Sequence, residues 1–153
     1  MTSVDEAASA YLAGYLERGG AVRIYVNRLD DKEALLIETS HGEVSPIESA
    51  GIYVRVRSED MTILRFLKGA FGGNLSKGQW QGWNEEAATL LRVITPYLRT
   101  GKRKALVQLA LEFHEFIEMK RGWATESRLF FTAEDVEVIA RYEMALKEIT
   151  GSQ

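Results

Sequence analysis

Two stretches of this sequence alternate apolar and polar residues with a period of two. Val22, Ile24 and Val26 interleave with Arg23, Tyr25 and Asn27, and Ile52, Val54 and Val56 interleave with Tyr53, Arg55 and Arg57. Successive side chains of a strand point to opposite faces, so this pattern predicts strands buried on one side and wetted on the other. Half-buried strands belong to an antiparallel sheet covered on one face, because strands buried on both faces read as continuous apolar runs.

Helical periodicity surrounds the strands. Val4–Glu17 reads as a helix, with Asp5 and Glu6 in its first turn, where they suit the helix dipole, and Gly19-Gly20 at its end. A strand over Ala21–Leu29 follows, then a turn at Asp30-Asp31 and a short second strand over Ala34–Glu38. His41–Ala50 holds Gly42, Ser45, Pro46 and Ser49 and reads as a loop before the strand Ile52–Arg57. Ser58 or Glu59 opens a helix that Phe71-Gly72-Gly73 closes, and Asn74–Lys77 with Gln79–Trp83 reads as a hairpin around Gly78. Asn84 is placed to cap the next helix, with Ala87, Leu90, Leu91 and Ile94 inward and Pro96 near its end. Arg103–Arg121 reads as a long helix, and Thr132 with Asp135 forms a capping-box pattern for a last helix ending near Ile149. Strands and helices mix without regular βαβ alternation. This predicts an α+β fold, helices on one face of an antiparallel sheet, and a single domain over 1–153.

Composition narrows the chemistry. With no cysteine, disulfides and thiolate metal sites are excluded, and two histidines, His41 and His114, do not make a histidine cage. No apolar run approaches the ~20 residues of a membrane span, and the first ten residues carry acids and no base, unlike a targeting segment. The expectation is a soluble, cytoplasmic protein with no membrane partner. The net charge of -3 hides an asymmetry: residues 18–104 hold 14 Lys/Arg against 10 Asp/Glu, while residues 105–153 hold five bases against nine acids. A basic middle between acidic ends suits an anionic partner, although a mixed solvated surface accounts for charge alone.

The sharper signal is the polar side of the sheet. It would carry Arg23, Tyr25, Asn27, Tyr53, Arg55, Arg57, Lys77, Gln79 and Gln81, and no carboxylate. Like charges across strands repel, so an acid-free basic face calls for a compensating polyanion. Arg and Lys neutralise phosphates, and Arg, Asn and Gln read base edges in a groove that admits a β-ribbon. The competing reading is a face neutralised by Glu33 or Glu38. Trp80, Trp83 and Trp123 read as core or interface residues, and His114, beside Glu115 and Glu118, as a helix-surface histidine.

The segment Tyr11-Leu12-Ala13-Gly14-Tyr15-Leu16-Glu17-Arg18-Gly19-Gly20 resembles the signature of the LAGLIDADG homing endonuclease family. Further segments match in order: Phe71-Gly72-Gly73 with Leu75, then Trp80, then Pro96-Tyr97-Leu98-Arg99 with Lys102 and Ala105, then Phe113, Phe116 and Lys120. The resemblance spans roughly residues 8–148, with a longer insertion between the first strands. It implies a saddle-shaped antiparallel sheet on double-stranded DNA and, for a single motif, a homodimer sealed by the motif helix. The seam would be Tyr11, Leu12, Ala13, Gly14 and Leu16, with small residues letting two backbones approach. Arg18, Arg28 and Lys102 would join the sheet residues on DNA.

One departure bears on activity. The family's catalytic acid, which holds divalent metal at the scissile phosphates, falls at Gly19, which has no side chain. Glu17 matches the family's other, non-catalytic acidic position, roughly 200° away around the helix. It is the weak candidate for catalysis together with Lys102, which resembles a family lysine near the active site. Arg18 opposes a cation there and suits a phosphate. The expectation is a DNA-binding protein with a degenerate site, no catalytic residue and no metal cofactor, acting as a regulator or left by a mobile element. The alternative is an active magnesium-dependent endonuclease rescued by Glu17 or another acid. The third reading is an interaction module that does not bind DNA.

Overall fold

The structure is a computed structural model that describes residues 5–28, 47–123 and 131–150, with the side chains of residues 19, 48, 121–123 and 133 outside that description. The expected turn at Asp30-Asp31, the strand Ala34–Glu38, the acids Glu33 and Glu38, His41 and the Trp123 side chain lie outside the described residues. The elements are α1 (Glu6–Gly19), β1 (Gly20–Arg28), β2 (Ile47–Arg57), α2 (Met61–Phe71), β3 (Asn74–Ser76), β4 (Gln79–Trp83), α3 (Glu85–Ile94), a 3-10 turn (Thr95–Tyr97), α4 (Gly101–Trp123) and α5 (Ala133–Thr150). The strands form one sheet in the order β1-β2-β4-β3, with β4 antiparallel to both β2 and β3. The fold is α+β. No described helix is long and apolar enough to cross a membrane. Contacts group the chain into two compact units, one of Met1–Arg23 with Ile52–Leu111, the other of Ile24–Gly51 with Glu112–Gln153.

In the first unit, Asp5 caps α1, its carboxylate accepting the Ala8 N–H at 2.7 Å. Leu12, Ala13 and Leu16 fill the core behind the helix. Asp60, rather than Ser58 or Glu59, caps α2 through the Thr62 N–H at 2.9 Å. Ile63, Leu64, Leu67 and Phe71 then turn inward, and α2 packs with α3 against β4. Even-numbered residues of the paired strands, Val54, Val56, Trp80 and Gly82, are buried, which leaves the odd-numbered residues outward. Trp80 is fully buried and donates its indole N–H to the Gly72 carbonyl at 2.7 Å. Gly73 has to be glycine, since it sits at φ 86° and a Cβ would lie 2.5 Å from the Gln81 carbonyl oxygen.

Asn84 does not cap α3 with its side chain. It sits at φ 52°, and its Oδ1 accepts the Ile52 N–H at 3.2 Å while its own N–H donates to the Ile52 carbonyl at 2.9 Å. The asparagine thereby extends the β2–β4 ladder by one residue. Glu86 ties hairpin to helix instead, accepting the N–H groups of Gly73 at 3.1 Å and Trp83 at 3.2 Å. The segment expected as a loop up to Ala50 enters β2 at Ile47, because Ile47 and Ala50 are apolar and buried.

The second unit is held by α4 and α5. Thr132 and Asp135 form the reciprocal capping box, with bonds of 3.0 and 3.1 Å. Asp135 also meets the Lys120 ammonium at 2.8 Å. Burial opposes its charge, but Lys120 and the Thr132 donors outweigh that and hold its carboxyl below the usual aspartate range. His114 is buried, not on the surface, because it shares the inward stripe of α4 with Ala110, Phe113 and Ile117.

Candidate nucleic-acid interface

Strand register builds the first part of the site. In the first unit Tyr53 lies opposite Trp83, Arg55 opposite Gln81 and Arg57 opposite Gln79. Cross-strand neighbours sit ~5 Å apart, so these side chains form one continuous outer surface. Arg57 donates from Nε to Gln79 Oε1 at 3.4 Å, and Gln81 donates from Nε2 to Tyr53 Oη at 3.2 Å. Lys77 is exposed in the turn before β4, and Arg23 is exposed on β1. None of the outward positions of β2 from Ile52 onward, of β3 or of β4 carries a carboxylate.

Trp83 belongs to this surface too. It is 45% exposed and packs on Tyr53, with ring centroids 4.4 Å apart and planes 37° from parallel. Its aromatic identity is read from the sequence as core or interface. Its parity with Gln79 and Gln81 was the signal that placed it outside.

The second unit carries Tyr25, Asn27 and Arg28. Tyr25 is half-buried and the other two are exposed. Asn27 donates to the Ser49 hydroxyl at 2.9 Å, and Arg28 pairs with Glu143 at 2.8 Å. Arg28, expected among the residues on DNA, has a carboxylate partner supplied by a helix more than a hundred residues further on.

The end of α1 is built differently. Glu17 turns its Oε1 onto the backbone N–H groups of Arg99 and, at 3.1 Å, Thr100. These fixed donors, Arg99 first and Thr100 second, lower its carboxyl below the ordinary glutamate value despite partial desolvation, helped by the Arg99 and Arg103 charges. Thr100 in turn caps α4, its hydroxyl accepting the Arg103 N–H at 3.2 Å. Arg103, which no motif singled out, donates to the Gly20 carbonyl at 3.4 Å. Arg18 and Lys102 are exposed. A divalent cation of the hard, oxygen-seeking kind needs several oxygen ligands. Gly19 offers only its carbonyl, Glu17 already accepts from two backbone N–H groups, and the surrounding side chains are cationic. This donor set does not fit such an ion. Among the described residues no cluster of three or more acids or histidines gathers elsewhere.

Of the five seam residues read from the motif, Leu12, Ala13 and Leu16 point into the core of their own chain. Tyr11, 55% exposed, and Gly14 face outward, where a Cβ on Gly14 would meet nothing within 4 Å. They line a groove of about 920 Å³ with Tyr15, Arg18, Tyr97 and Arg99. The Tyr15 hydroxyl is 3.0 Å from that of Ser58.

No protein-family model matches the sequence, and no curated protein matches it. Solved structures do. The chain is similar to the homing endonuclease I-CvuI in complex with its target in the presence of calcium, with a TM-score of 0.61 and 16% identity over 95% of this chain and 81% of that one. It is equally similar to I-CvuI in complex with the I-CreI target in the presence of magnesium, where the DNA is not cleaved. It is also similar to the homing endonuclease I-TnaI, with a TM-score of 0.52 and 13% identity over 97% and 99% of the two chains. A double mutant of I-SmaMI matches at a TM-score of 0.54 and 14% identity, over 88% of this chain and 42% of that one. The fold of this chain is that of the LAGLIDADG homing endonucleases, which the motif resemblance had implied.

Proposed function

We propose that this chain is a single LAGLIDADG-fold domain that binds duplex DNA as a homodimer without cutting it. The observation that carries the reading is the outward side of β2 and β4, where Arg55 and Arg57 stand among amides and aromatics with no acid between them. A basic surface of this kind neutralises backbone phosphates, and its amides meet base edges. Arg23, Lys77, Gln79 and Gln81 extend it, and Arg18 and Lys102 supply cations near the end of α1. The resemblance to structures of I-CvuI in complex with its target supports a DNA partner.

The donor set around Gly19 and Glu17 supports a lack of cleavage. Gly14 and Tyr11 on the outward side of α1, where the chain's own packing does not require a glycine, support dimerisation. Gly14 costs ~1 kcal/mol of helix stability relative to alanine, a cost that close approach of a second helix would offset.

The test is fluorescence anisotropy with labelled duplexes at increasing salt. Neutralising four phosphates per protomer, through Arg23, Arg55, Arg57 and Lys77, makes eight for the homodimer and gives a log–log slope of roughly -7. No affinity at low salt would favour the interaction module. Nicking with magnesium or manganese, lost in Glu17→Ala, would establish the active-nuclease alternative.

A further inference from the structure

The joint at the end of α1 commits Glu17 and Arg103 and leaves other charges beside it uncommitted. Arg18, four residues after Gly14, lies on the same side of the helix and lines the same groove of about 920 Å³. Arg57, the last residue of β2, and Arg99, two residues after the 3-10 turn, line that groove as well. All three are exposed, and among the described residues none of them is ion-paired. Arg57 bonds Gln79 through Nε, which leaves its Nη groups for a second partner. The Arg99 backbone is pinned to Glu17 through its own N–H, and this fixes where its side chain starts.

Glu17 is the one carboxylate among the described residues of the groove, and its Oε1 already accepts from the N–H groups of Arg99 and Thr100. One such acid beside three guanidinium groups leaves the groove cationic. The next element adds to the charge. Helix α4 opens with Lys102, Arg103 and Lys104 and has no acid in its first turn. Cations there oppose the helix dipole, and an anion beside them relieves the opposition.

The donors indicate which anion. A guanidinium presents its N–H groups in a planar fork that matches the oxygens of a phosphate, and it stays charged at any ordinary pH. The motif resemblance assigns this helix end a divalent cation, which the donor set does not fit. Three arginines gather there instead, and they offer a phosphate the positive charge that a metal would have supplied.

We infer that Arg18, Arg57 and Arg99 grip one duplex phosphate per protomer directly, in place of a divalent cation. The inference rests on the DNA-binding reading and deepens it, for it assigns the cationic end of the groove to a phosphate and makes duplex affinity independent of metal. Gly14 and Tyr11, one and two turns earlier on α1, remain for the second copy of the chain.

The experiment uses the full chain and a labelled duplex of mixed sequence, followed by stopped-flow anisotropy at low salt, in chelator or in calcium at matched ionic strength. Wild-type affinity should agree within about 2-fold between the two buffers. Arg18→Gln and Arg99→Gln each remove two contacts from the homodimer. At about 3- to 10-fold per contact, each should raise the dissociation rate by about 10- to 100-fold and leave association nearly unchanged. Arg18→Glu should bind weakly in chelator and regain affinity in calcium, since a cation can then bridge carboxylate and phosphate. Arg65→Glu, exposed on α2 outside the groove, should do neither. Wild-type binding that requires calcium would overturn the inference. So would wild-type dissociation rates in either glutamine variant, or a loss confined to association. If Arg18→Glu does not fold, the wild type and the glutamine variants still decide. A wild type that binds no duplex in either buffer would overturn the DNA-binding reading itself, a result distinct from binding that ignores Arg18 and Arg99.

Discussion

The outward side of β2 and β4 and the last turn of α1 both gather charge, yet they commit it differently. On the strands, Arg55 and Arg57 stand outside among amides, and no carboxylate is placed to pair with them along those positions. At the end of α1, Glu17 is turned onto the N–H groups of Arg99 and Thr100, and Arg103 onto the Gly20 carbonyl. A charged group bonded to its own backbone serves the fold. One left among uncharged neighbours is available to a partner. The contrast separates a surface suited to hold phosphates from a helix end bonded as a structural joint.

Reversing charge on the strands gives the largest expected effect. Arg55→Glu with Arg57→Glu, four contacts in the homodimer, should weaken duplex binding by about 100-fold at moderate salt and flatten the salt slope by roughly 4, with circular dichroism unchanged. A loss confined to one sequence would break the view that these arginines meet phosphates. Next comes the outward face of α1. Gly14→Leu should abolish the dimer in sedimentation velocity while the monomer stays folded, since a side chain there meets nothing in its own chain.

The joint should register in stability rather than in binding. Glu17 has a lowered folded-state pKa, so its contribution is fully present above the ordinary glutamate value of 4.5 and is lost as pH falls through the lower folded value. Glu17→Gln should therefore melt below the wild type at neutral pH, and the two curves should converge in acid. A constant gap at all pH values would contradict the ionic role. The smallest effect belongs to Arg28, already paired with Glu143 on the surface. Arg28→Ala should shift stability by about 0–1 kcal/mol and duplex affinity by less than any other arginine named here.

Much of this was legible in local pattern. Period two gave the alternation of Tyr53, Arg55 and Arg57 with Ile52, Val54 and Val56, and the spacing of Thr132 and Asp135 gave a capping box that forms in both directions. Phe71-Gly72-Gly73 marked a turn that Gly73 alone can make beside Trp80. What escaped was set by partners distant in sequence. Glu17 meets groups 82 residues further on, and Arg28 meets Glu143. Asn84 sits where a cap belongs, but the Ile52 N–H across the sheet takes its side chain. His114 shows the other failure, for its place on an apolar stripe outweighed its polarity.

The most direct measurement is one gel. Supercoiled plasmid is incubated with the wild-type protein at low salt in manganese, and half of each sample is stripped of protein before electrophoresis. The account predicts retarded plasmid in the untreated half and intact supercoils in the stripped half. Nicked or linear plasmid that disappears with Glu17→Ala would contradict it.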